Sequence, residues 1–125
     1  MNQTRVLILV GLALVIHAAE ELFTGFYAID PTVLGLAHLF ALAPIVMWVI
    51  LEALIFILFG VVYAFRSLKF FWVLLMLFML AQLYHFVLIF VLHTYDGAIS
   101  AFLFFPLLWF TYKVSPLTLF KSAEQ

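Results

Sequence analysis

Four stretches of this chain are apolar for close to the length that crosses a bilayer as α-helix, about 20 residues. They cover residues 6–26, 44–63, 70–92 and 97–112, the last near the lower limit for spanning. No stretch alternates with the two-residue period of a membrane barrel. The expected fold is therefore all-α, a polytopic membrane protein with one domain over residues 1–125, built as a four-transmembrane-helix bundle. Composition agrees: 70% of residues are hydrophobic and 9% charged, against about 45–50% and about 25% in soluble domains. The formal net charge is -1 and no basic cluster exists, which excludes nucleic acid as a partner. With no cysteine, the chain has no disulfide, thiolate metal site or Cys nucleophile.

Residues 31–43 are apolar but sit between two prolines, Pro31 and Pro44. Proline is tolerated in the first helical turn, so each can begin a helix. The spacing predicts a short interfacial or re-entrant helix between spans one and two. The alternative is one long, kinked second helix over residues 33–65.

The basic residues are Arg5, Arg66, Lys69, Lys113 and Lys121. They fall before span one, between spans two and three, and after span four. The other two loops carry Asp30 and Asp96 without Lys or Arg. Cytoplasmic loops collect Lys and Arg, so a multi-pass protein with both termini cytoplasmic is expected. Tyr63, Trp72, Trp109 and Tyr112 would form an inner aromatic belt, with Tyr27 and Tyr95 outside.

Ionisable side chains within spans are costly and mark function. His17, Glu20 and Glu21 lie in span one, Glu52 in span two, and Gln82 and His85 in span three. At 1.5 Å per residue, His17 and Glu52 lie roughly 12 Å from the outer end of their spans, His85 roughly 10 Å and Glu20 roughly 7 Å. These groups share one layer in the outer leaflet, and every Lys and Arg is at the opposite face. Pro106 leaves the Phe102 carbonyl without its helical donor, which would add a free acceptor to the layer. Asp96 and Gly97 read as a tight turn, and Gly60 with Ala64 as a helix-packing pair. His38 and His93 read as interfacial, and Gln82 as a partner of a ligand or of a neighbouring helix.

Carboxylates with no cationic side chain nearby must be protonated, paired with a protonated histidine, or bound to a cation. The leading reading is a divalent metal ion, zinc, iron or manganese, held among His17, Glu20, Glu21, Glu52 and His85. Catalysis would then fall to Glu20, Glu21 and Glu52, on a lipophilic substrate arriving from the membrane lipids. An accessory subunit of a larger membrane complex, with partner membrane subunits, is the main alternative. Metal-free acid–base isomerisation or cyclisation, and proton or cation transport, are further ones.

The motif His17-Ala18-Ala19-Glu20-Glu21 resembles the HXXEE-domain family of small integral membrane proteins. His85 matches that family's later histidine. Thr94-Tyr95-Asp96-Gly97 is similar to its Tyr-x-Pro-Gly element, but Asp96 replaces the proline and the tyrosine comes one place late. The resemblance implies a membrane protein in which His17, Glu20 and Glu21 matter. It implies no reaction.

Overall fold

The computed structural model describes residues 2–94 and 99–117, and the positions singled out at Tyr95, Asp96, Gly97 and Lys121 lie outside them. Helix α1 runs Gln3–Thr24. The Asn2 side chain caps its start by accepting from the Arg5 N–H, and Gly25 ends it with φ of 69°. A 3₁₀ turn, Phe26–Ala28, then buries Phe26. Helix α2, Pro31–Leu39, begins with Pro31 at its first turn and the Asp30 side chain accepting from the Thr32 N–H at 2.8 Å. Helix α3 is Pro44–Ala64. The chain leaves helical geometry between α2 and α3 because Pro44 has no N–H and pushes Ala43 to an extended conformation, ψ 143°. The single kinked helix over 33–65 is thereby ruled out.

The third apolar stretch forms two helices, α4 (Lys69–Gln82) and α5 (Tyr84–Leu92). No proline or glycine breaks it. At Leu83 the hydrogen bonds shorten to the i to i+3 type, Leu83 N–H to the Leu80 carbonyl and Phe86 N–H to that of Leu83, both 3.1 Å. A 3₁₀ turn, Ser100–Leu103, leads into α6, Phe104–Val114.

Helices α1, α3, α4 and α6 close a ring in which each packs on the next, while α5 runs on from α4 and sets His85 against His17 and Phe26, and Phe86 against Phe102 and Phe105. Buried residues of α1 recur at Val6, Leu7, Val10, Ala13 and Leu14, the three-four spacing of one helix face, and that face continues into His17 and Glu21. Trp72, Leu75, Met79, Phe104 and Leu107 fill the other side of this core. The outer surface is apolar, with Leu12, Phe23, Ile57 and Phe90 all exposed. Such a surface suits hydrocarbon as solvent, and α1, α3 and the α4–α5 stretch are each long and apolar enough to cross a membrane.

One end of the ring is tied by Arg66. It donates to Thr4 Oγ1 at 2.6 Å and to the Tyr63 carbonyl at 3.0 Å, and its own carbonyl accepts from the Trp72 indole at 2.8 Å. Trp72 is thus fully buried rather than part of an interfacial belt. Gln3 donates to the Val114 carbonyl at the same end. Gly60 is exposed, with open space where a side chain would stand, so it packs no helix within the chain.

Candidate metal centre

At the opposite end of the ring, α1 delivers His17, Glu20 and Glu21. Successive helical residues turn by 100°, so Glu20 and Glu21 leave His17 on opposite sides, about 60° one way and about 40° the other. This divergence decides their roles. Glu20 turns toward the 3₁₀ turn before α6. Its carboxylate accepts the backbone N–H of Ile99 at 3.1 Å and that of Ser100 at 2.7 Å, and the Ser100 hydroxyl as well. Glu21 turns inward, toward α3 and α5, and is buried.

The hydroxyl of Ser100, already donating to Glu20, accepts from His17 Nδ1–H at 2.8 Å. That bond fixes the imidazole and aims Nε2 at two acceptors, Gln82 Oε1 at 2.7 Å and Glu21 Oε1 at 3.3 Å. A positive centre belongs between such groups, either a proton on Nε2 or a metal ion. His85, from the first turn of α5, brings its Nε2 to 3.5 Å from the same Glu21 Oε1 and to 3.9 Å from Asp30 Oδ2. The His17 and His85 rings lie 5.0 Å apart, and Phe26 meets His85 edge-on at 5.0 Å. Trp48 donates its indole N–H to Glu21 Oε2 at 2.8 Å, which leaves Oε1 for the two imidazoles.

His17, Glu21 and His85 each offer a ligand atom within 4.8 Å of the others, and all three are buried. The separations of 3.3 and 3.5 Å are long for hydrogen bonds, which run about 2.7–3.2 Å. They match the spacing of about 3.3 Å between ligand atoms bound tetrahedrally at 2.0–2.1 Å. The donor set of two imidazoles and a carboxylate suits zinc, iron or manganese. Hydrogen bonds orient two of the three, Ser100 on His17 and Trp48 on Glu21, as second partners of metal-binding side chains do.

A cavity of about 450 Å³ opens beside this cluster. Glu21, Asp30, Glu52, Gln82 and His85 line its polar end, and no Lys or Arg lines it. Burial holds the Asp30 carboxyl above the ordinary carboxylate range; the Thr32 N–H opposes that shift. Among the described residues, the ion-pair partners of Glu21 and Asp30 are histidines.

Comparison of the chain with protein-family models, with curated proteins and with solved structures finds no match.

Of the five residues expected in the polar layer, three converge as a cluster, Glu52 stands on the cavity wall beside Glu21, and Glu20 turns away to Ser100. Glu20 is spent on backbone amides and is not placed to bind the ion. Gln82 meets His17, and His38 and His93 are exposed. The Phe102 carbonyl adds no free acceptor. Pro106 is the third residue of α6, where helical N–H groups have no intrahelical partner, and the Phe104 N–H reaches the Phe102 carbonyl. Sequence reasoning missed Trp48 and Asp30. Trp48 lies four residues before Glu52, one turn away on the same face of α3, which was a readable signal. Asp30 gave none, because it returns to the site from a loop.

Proposed function

We propose that this chain is a four-span integral membrane protein with both termini cytoplasmic, and that it is a metal-dependent enzyme acting on a lipophilic substrate. Three helices have the length and apolar character of spans. The fourth, Ser100–Val114, rises about 22 Å and needs flanking residues or local thinning to cross hydrocarbon of about 30 Å. The orientation rests on Arg5, Arg66, Lys69 and Lys113, which gather at the end tied by Arg66.

The observation that carries the catalytic reading is the pair of separations at Glu21 Oε1, 3.3 and 3.5 Å. They are at the long end for hydrogen bonds and close to the spacing of ligand atoms around one ion. Three protein ligands with an open side on a cavity is the arrangement of catalytic rather than structural zinc. A bound ion would polarise a substrate oxygen or lower the pKa of a bound water. The residues of the chain supply the rest. Ser100 and Trp48 hold the ligands, the apolar cavity wall excludes water, and Glu52 faces the cavity as general acid or base.

One observation favours a second reading, a polar layer that only locks helix packing: both His17 nitrogens already have protein partners. Elemental analysis of the detergent-purified protein, beside Glu21→Ala and His85→Ala, separates the two. About one zinc, iron or manganese per chain, lost in both variants while helical content persists, supports the enzyme. A folded wild-type protein that takes up no metal on reloading overturns it in favour of the packing layer.

A further inference from the structure

The cavity has a shape and a charge that together define its occupant. Its walls come from α3 on one side and from α4 and the start of α5 on the other. Near Gln82 the i to i+3 bonds at Leu83 interrupt the helix, and α5 runs on from the end of α4 without packing closely on α3. The gap left between α3 and α5 is the cavity. Leu54, Ala81 and Tyr84 stand on its rim and are exposed. Leu54 is the eleventh of the 21 residues of α3, so this mouth lies at the middle of a span; Thr32, at the start of α2, is a second exposed part of the lining. The mid-span mouth gives access sideways, from the hydrocarbon layer.

Polarity along the cavity is segregated. One end carries Glu21, Asp30 and Glu52 with His85. The other is Ile55 and Leu58 of α3 facing Phe78 of α4, and Leu58 lies about 9 Å along the helix from Glu52. A volume of about 450 Å³ lies within the range of small-molecule sites. Three carboxylates with no Lys or Arg outweigh the charge of one divalent ion, so the anionic heads of fatty acids, phospholipids and isoprenoid phosphates are disfavoured. With a divalent ion on His17, Glu21 and His85, the polar end approaches neutrality, and an uncharged oxygen suits both the open side of the ion and the Glu52 carboxyl.

We infer that the cleft between α3 and the α4–α5 break binds an uncharged lipid, one with a hydroxyl head and a hydrocarbon tail, entering laterally from the bilayer. The inference rests on the membrane-embedded metalloenzyme reading and names its substrate class. The hydroxyl lies among Glu21, Glu52 and His85, and the tail runs between Leu58 and Phe78.

The test uses one photoreactive hydrocarbon tail carrying three heads in turn, a primary alcohol, a carboxylate and an amine. Each is offered to the full chain in lipid nanodiscs, and crosslinked residues are mapped. The alcohol is expected to label the cleft about tenfold more than the acid or more. Ala81→Trp, which fills the mouth away from the polar cluster, is expected to abolish that labelling with metal content unchanged. Equal labelling by the acid, stronger labelling by the amine, or labelling that survives Ala81→Trp would each overturn the inference. Metal content is measured on the same samples. Labelling of the cleft by the alcohol in a metal-free protein would remove the metal centre and keep the lipid site. Metal without selective labelling would do the reverse.

Discussion

Replacing Trp48 by phenylalanine removes one hydrogen bond and keeps most of the ring. The bond runs from the indole N–H to Glu21 Oε2 at 2.8 Å, and both residues are buried, 8% and 4% exposed. A hydrogen bond to an ionised group contributes about 1.5–3 kcal/mol. Phenylalanine retains the contact with Tyr27, whose ring lies 6.0 Å away, so little packing is lost. A loss of about 2 kcal/mol in the orientation of Glu21 corresponds to about 30-fold in metal affinity. That falls within the 10–100-fold typical of partners standing behind a metal ligand. Chelator competition on the detergent-solubilised protein measures the affinity, with circular dichroism to check helical content. The expected result is a folded variant about 30-fold weaker for the metal. An affinity within about twofold of wild type would refute the argument that Trp48 holds Glu21 for an ion. A lowered melting temperature in metal-free protein, with no change in metal affinity, would assign the bond to packing alone.

Ser100→Ala should weaken metal binding about tenfold, because His17 Nδ1 and Glu20 both lose their shared partner, and Ser100→Thr should restore it; chelator competition measures both. Gly25→Ala meets no atom within 4 Å, so only its φ of 69° is penalised, and a thermal melt should show a loss of about 1–2 kcal/mol. The raised pKa of Asp30 means that its protonation stabilises the fold at low pH, and that this stability is lost as pH rises through the folded value. Asp30→Asn keeps an oxygen for the Thr32 N–H and removes that titration. The melting temperature of metal-free Asp30→Asn should therefore exceed that of wild type by a margin that grows from about pH 4 toward neutrality. A constant margin would contradict the assignment. Since the chain has no cysteine, Ser67→Cys and His38→Cys each carry a single thiol. In intact cells an impermeant maleimide should label His38→Cys and spare Ser67→Cys, and the opposite pattern would invert the topology.

The sequence made some elements legible for local reasons. Pro31 and Pro44 each begin a helix because a missing N–H costs nothing there. The apolar face of α1 runs into His17 and Glu21 at the same spacing, so the depth and side of the site were readable. Other features depend on neighbours that one helix does not specify. The 100° step separates Glu20 from Glu21, but only the order of helices around α1 sends one to Ser100 and the other to Trp48. The interruption at Leu83 has no proline or glycine to announce it, and it matters because Gln82 and His85 lie on either side. Trp72 looks interfacial by its position beside Lys69, and becomes core because α1 and α6 cover it. Asp30 shows in sequence only as the cap of α2; the fold also brings it to His85.

The contacts of His17 have a consequence for biosynthesis. Its partners Gln82 and Ser100 lie 65 and 83 residues further along the chain. At roughly 5–20 residues per second, α1 waits about 4–17 seconds for the 3₁₀ turn before α6 to emerge. Through that interval Glu20 lacks the serine amide that later receives it, while Glu21 waits only for Trp48, 27 residues further along. Each uncompensated charge at a span's centre costs about 2.5–3.5 kcal/mol on insertion. Their position within about one and a half turns of Gly25, the C-cap of α1, lets both carboxylates reach toward headgroup water until the later helices arrive.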